Sequence, residues 1–70
     1  MKLQKAKTIT AAQLNYINIL ANDLQLNIEG RNAHIKFHIG REINSVDELT
    51  VHEAGKVINY FKEMKENAKA

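Results

Sequence analysis

Two short patterns, Thr10-x-x-Gln13 and Thr50-x-x-Glu53, set the strongest limit on what this chain can fold into. Each places a hydroxyl three positions ahead of a side chain that can reach back to the backbone. This is the reciprocal capping box, which satisfies N–H groups that a helix start leaves unpaired. Each cap also follows an aliphatic residue, Ile9 or Leu49, and Ile9 with Leu14 can form a hydrophobic staple. Behind the first cap, Leu14, Ile17, Leu20, Ala21 and Leu24 continue one apolar stripe. Behind the second, Val51, Ala54, Val57, Ile58, Phe61 and Met64 recur at helical spacing. Two amphipathic helices are therefore expected, each turning its stripe to a core. Tyr16 and Ile19 project away from the first stripe, as flank residues or as part of a contact surface. Ser45 with Glu48 forms a further capping pattern that predicts one turn ahead of the last helix. Lys62, Lys65 and Lys69 lie toward the C-terminus of that helix, where the dipole favours positive charge by roughly 0.3–1 kcal/mol each at low salt.

Between these two helices, the segment from Leu24 to Ile43 carries two competing periods. At period two, Leu24, Leu26 and Ile28 alternate, Glu29 to Asn32 could turn, and Ile35, Phe37 and Ile39 alternate again, which describes a β-hairpin. At helical period, Ile35, Ile39 and Ile43 share one face while Ala33, Phe37 and Gly40 share the other. The pattern by itself leaves both open: a mainly α three-helix bundle, or an α+β fold of two helices with a central hairpin. Gly30 and Gly40 would bound the middle element. Gly55 falls inside the last helix, where glycine costs about 1 kcal/mol relative to alanine. A close helix approach would explain it, and a merely tolerated glycine explains it nearly as well.

Seventy residues make one domain that buries only about 60% of its unfolded surface, so its stability margin is thin. With 44% apolar and 26% charged residues the composition is that of a folding chain. The absence of cysteine removes disulfides and thiolate metal sites and fits a cytoplasmic setting. The apolar-looking stretch from Leu14 to Leu26 is broken by Asn15, Asn18, Asn22 and Asp23, which excludes a membrane span or signal peptide. The net charge of +2 is unevenly spread. Lys2, Lys5 and Lys7 give the first seven residues +3, the stretch from Thr8 to Gly55 carries −3, and the remainder carries +2. The expected organisation is a basic tail over residues 1–7, a helical domain over 8–67 and a frayed end at 68–70.

The order of features from Thr8 to Met64 resembles a known kind of module. It consists of Thr10-x-x-Gln13 with Ile17, Leu20 and Leu24, then Gly40-Arg41-Glu42-Ile43-x-Ser45, then Glu48-Leu49-Thr50-x-x-Glu53-Ala54 with Val57-Ile58. Similar small helical segments close some phage single-strand-annealing recombinases, and regulatory proteins of Mu-like phages carry a comparable first helix and Leu-Thr-x-x-Glu start. The resemblance implies three helices, which favours the helical reading of the middle segment. It also implies a phage or mobile-element origin and a place in recombination or replication. Modules of this kind dock onto partner nucleases or the single-strand-binding protein. This chain lacks the large annealing domain that precedes the module, so annealing activity itself is not expected.

The chemistry-bearing residues point to binding. His34 and His38, four apart, could share a face and chelate zinc, but a third ligand would have to come from His52 or Glu53. Ser45, Thr50 and the acidic residues all have capping explanations, and no glycine-rich phosphate loop is present, so neither catalysis nor a cofactor is expected. Nucleic-acid binding would draw on Lys2, Lys5 and Lys7 together with Arg31, Lys36 and Arg41. Protein docking would draw on Tyr16, Ile19, Phe37 and Tyr60, apolar groups that the helical stripes leave incompletely buried. The expected partner is a protein of DNA metabolism, with DNA as the alternative and self-association as a further possibility for so small a core.

Overall fold

The computed structural model describes residues 8–69. It contains three helices, α1 (Ala11–Asp23), α2 (Ile28–Ile39) and α3 (Val51–Lys69), with one short 3₁₀ turn at Val46–Glu48. Among the described residues there is no sheet, only an isolated antiparallel bridge between Thr8 and Thr50. The protein is a mainly α three-helix bundle, and the hairpin alternative is set aside.

Both capping boxes at the starts of α1 and α3 form reciprocally. Thr10 Oγ1 accepts from the Gln13 N–H at 3.0 Å while Gln13 Oε1 accepts from the Thr10 N–H at 3.2 Å. Thr50 and Glu53 repeat the exchange at 3.0 Å in each direction. The pattern at Ser45 works differently from the expected box. Ser45 Oγ accepts from the Asp47 N–H, and the Glu48 carboxylate reaches Asn44 rather than Ser45, which fits a single 3₁₀ turn.

The middle segment is helical because each end is closed by side chains and backbone that a hairpin would not use. Past α1, Gln25 turns into the left-handed region at φ 61°. Its N–H reaches the Asn22 carbonyl and the Leu26 N–H reaches the Ala21 carbonyl, the paired bonds of a Schellman ending. Asn27 then caps α2, its Oδ1 accepting from the Gly30 N–H at 2.7 Å. Gly30 therefore lies inside α2 rather than bounding it. Gly40 does bound it, at φ 81° as the left-handed C-cap. Gly55 has no neighbour that a side chain would meet: a Cβ built there has nothing within 4 Å, so no close helix approach explains it.

α1 and α3 run parallel, and α2 runs against both. At one end, the Ile9 N–H bonds the Leu49 carbonyl at 2.8 Å and Gln13 Nε2 bonds the Val51 carbonyl at 3.1 Å. At the other, Asp23 on α1 pairs with Lys65 on α3 at 2.8 Å. Arg31 at the start of α2 bonds Asn18 on α1, and Arg41 just beyond its end bonds Glu53 in the first turn of α3. The core unites Ile17, Leu20 and Ala21 of α1, Ile35 of α2, and Ala54, Val57 and Phe61 of α3. Ile43, Val46 and Leu49 of the α2–α3 connection complete it, so this segment is a packed wall rather than a simple linker. Among the described residues no polar side chain is buried.

Candidate functional site

Of the four docking candidates, Tyr16, Phe37 and Tyr60 separate onto two flanks of α3, while Ile19 lies on α1 outside both grooves. Phe61 points into the core, and Tyr60 and Lys62 leave the helix roughly 100° to either side of it. On the Lys62 flank, Tyr16 and Leu20 of α1 meet Lys62, Lys65 and Glu66 around a shallow groove of about 170 Å³. Tyr16 is 40% exposed and Ile19 48%. On the Tyr60 flank, Ala33, His34 and Phe37 of α2 meet Tyr60 around an open groove of about 280 Å³.

Phe37 stands 85% exposed. It leaves α2 roughly 200° from Ile35, which takes the core position. Tyr60 is different: it is only partly exposed, because two histidines hold its ring. His38 stacks on it with centroids 4.3 Å apart and planes 5° apart, and His34 Nδ1 lies 3.2 Å from its hydroxyl. Tyr60 is therefore a wall of the groove rather than a free anchor. Both histidines of the candidate zinc pair thus pack on Tyr60, whereas His52 lies exposed on α3. Among the described residues no three His, Cys, Asp or Glu side chains are grouped to hold a metal. Ile28, 68% exposed at the start of α2, is an apolar group that sequence reasoning did not single out.

The basic candidates of the middle segment are engaged within the chain. Arg31 donates to Asn18 and Asn32. Lys36 lies 3.6 Å from Glu42. Arg41 donates from Nε and Nη2 to both oxygens of Glu53, at 2.8 and 2.9 Å, and also to the Glu48 carbonyl. The bond from Arg41 holds the Glu53 carboxyl down at about 2; partial burial works against this, and the Thr50 N–H adds to the lowering. The Arg41 guanidinium is correspondingly raised. Asp23 likewise raises Lys65. Arg41 therefore serves to tie the end of α2 to the start of α3, and a phosphate would have to compete with that pairing. Lys2, Lys5 and Lys7 lie outside the described residues.

Among the described residues no helix is long and apolar enough to cross a membrane. Comparison of the chain with protein-family models, with curated proteins and with solved structures found no match.

Proposed function

We propose that this chain is a non-enzymatic accessory protein of the cytoplasm that works by docking a protein of DNA recombination or replication in a phage or mobile element. The observation that carries the docking reading is the placement of exposed large apolar side chains beside grooves on opposite flanks of α3, Tyr16 on one and Phe37 on the other, with Ile19 exposed on α1. Aromatic anchors beside shallow grooves are the groups that concentrate binding energy in protein interfaces. The DNA-metabolism setting rests on the likeness of the capping and core pattern from Thr8 to Met64 to annealing-protein modules. Direct DNA binding is the weaker reading, because Arg41 is held in a close ion pair with Glu53 and Lys36 lies beside Glu42, which leaves Arg31, bonded to neutral Asn18 and Asn32, as the one unneutralised cation among these three. The Tyr16 groove, edged by Lys62 and Lys65, is the surface assigned to the heterologous partner.

The test is capture from host lysate on the immobilised protein, with and without nuclease, identified by mass spectrometry and repeated with Tyr16→Ala/Ile19→Ala. A nuclease-resistant partner of DNA metabolism that the double variant loses is the expected result. Capture that vanishes on nuclease treatment would overturn it in favour of DNA.

A further inference from the structure

We infer that the cleft between the second half of α1 and the start of α2 binds a terminal phosphate group, held by the Arg31 guanidinium and the side-chain amides of Asn18, Asn22 and Asn27. The cleft shares no residue with the Tyr16 groove, and the inference stands apart from the docking of a protein there.

The cleft has a volume of about 170 Å³. Asn18 and Asn22, one turn apart on α1, border one side of it, and Asn27 with Arg31 borders the other from the start of α2. Two of the amides are oriented by groups that can only donate. The Gly30 N–H meets Asn27 at 2.7 Å, so the atom it meets is the oxygen. Arg31 Nη1 likewise fixes the oxygen of Asn18 toward itself. Each amide therefore keeps its NH₂ group for something else. Asn22, exposed beside them, can turn its own amide either way. Arg31 uses Nε on Asn32 and Nη1 on Asn18, which leaves Nη2 to donate elsewhere. What these side chains still have to offer is mainly N–H donors, and their complement is a group rich in acceptor oxygens.

Charge makes that complement an anion. Arg31 is half-buried where α2 meets α1, and the partners of its guanidinium are neutral. Arg41 shows the contrast, since Glu53 takes its Nε and Nη2 donors at 2.8 and 2.9 Å. Among the described residues no carboxylate borders the cleft. Asp23, beside Asn22 in the chain, pairs with Lys65 at 2.8 Å, and Glu29 borders a different surface with Asn32 and Lys36. A guanidinium with open donors matches two oxygens of a carboxylate or a phosphate equally well. The amides decide between them. Donors arriving from both sides of the cleft suit a tetrahedral group with three terminal oxygens better than a planar carboxylate with two. A phosphodiester within a strand also has only two free oxygens, so the group that fits is a terminal phosphate. Ile28, 68% exposed and lining the same cleft, offers apolar contact to the carbon skeleton that carries the phosphate.

Two-dimensional NMR of the ¹⁵N-labelled full chain tests this, following the asparagine side-chain amides and the Arg31 Nε–H as inorganic phosphate replaces chloride at constant pH and ionic strength. Saturable shifts are expected at Asn18, Asn22, Asn27 and Arg31, and Arg31→Gln should weaken the binding by roughly tenfold or more. Asn22→Asp should do the same by placing a carboxylate in the cleft. Because the Asn22 side chain is exposed, that variant should keep the parent melting temperature, which preserves the test if Arg31→Gln lowers it. Shifts that never saturate, or that persist in Asn22→Asp, would overturn the inference, and an equal response to acetate would overturn the choice of phosphate. A nucleoside 5′-monophosphate that binds more tightly than inorganic phosphate would support a small phosphorylated ligand lying against Ile28. A 5′-phosphorylated oligonucleotide that binds more tightly still, and loses the gain without its terminal phosphate, would support the same site and identify a strand end as the source. None of these results bears on capture at the Tyr16 groove, so the two readings fail separately.

Discussion

Phe61, on the core face of α3, has no exposed surface and is the largest fully buried side chain. Truncation to alanine leaves a cavity that a domain this small cannot close. Phe61→Ala should cost roughly 3–5 kcal/mol, much of the stability expected of such a chain, and thermal melting should show unfolding near room temperature. Gln25 presents the opposite case. At φ 61° it holds a left-handed conformation that a Cβ disfavours and glycine does not. Gln25→Gly should raise stability by about 1 kcal/mol, measured by urea denaturation, even though glycine usually destabilises. Glu53 links residue chemistry to pH. Its folded-state carboxyl titrates at about 2 against an ordinary value of 4.5, chiefly through the Arg41 bond, so the unfolded chain binds the proton more readily. The stabilisation is whole above about 4.5 and is lost as pH falls toward 2. Melting temperatures of the parent and Glu53→Gln, measured across that interval, should differ at neutral pH and converge at the acid end.

At the scale of elements, α1 and α3 owe their starts to local chemistry and their persistence to packing. Thr50→Ala removes the hydroxyl that accepts from Glu53 and should cost about 1 kcal/mol. Gly55 lies in the interior of α3 with open space where a Cβ would stand. Gly55→Ala therefore gains helix propensity without a clash and should stabilise by roughly 0.5–1 kcal/mol in chemical denaturation. α2 depends more on its neighbours: it buries fully only Ile35 and is held by the Asn27 cap, the Gly40 cap and the Tyr60 contacts. Helix formation in isolation is unfavourable for so short a segment. A peptide of residues 27–40 should show little helix by circular dichroism, whereas the whole chain should show mostly helix.

Viewed as a whole, the molecule places two helix N-termini at one end, where Ile9 and Leu49 are joined. If DNA rather than protein were the ligand, Lys2, Lys5 and Lys7 would contribute by neutralising phosphates. Changing all three to Gln would then flatten the slope of log K against log salt by about 2–3. The docking reading predicts a different result in fluorescence anisotropy across a salt series. Parent and triple variant should bind DNA equally weakly, and partner capture should respond to Tyr16 and Ile19 instead.

The helix starts at Thr10 and Thr50, and the stripes behind them, were legible in the sequence because capping and amphipathic spacing are set by residues within one or two turns of each other. The end of α1 was not, since Gln25 adopts the left-handed turn without the glycine that usually announces it. Nor was the start of α2, where a lone Asn27 does the capping while Leu24, Leu26 and Ile28 mimic a strand. Among the site residues, Tyr16, Ile19 and Phe37 were readable as exposed because each falls off its helix's apolar stripe. The partial burial of Tyr60 was not readable, because it depends on His34 and His38 arriving from a helix some 25 residues away in the chain. The pairing of Arg41 with Glu53 is likewise made only when α2 folds back against α3. Local hydrogen bonding and periodicity determine where helices begin and which face is apolar. Which exposed side chains share a flank, and which charges are already spent, was decided only by the packing of one helix against another.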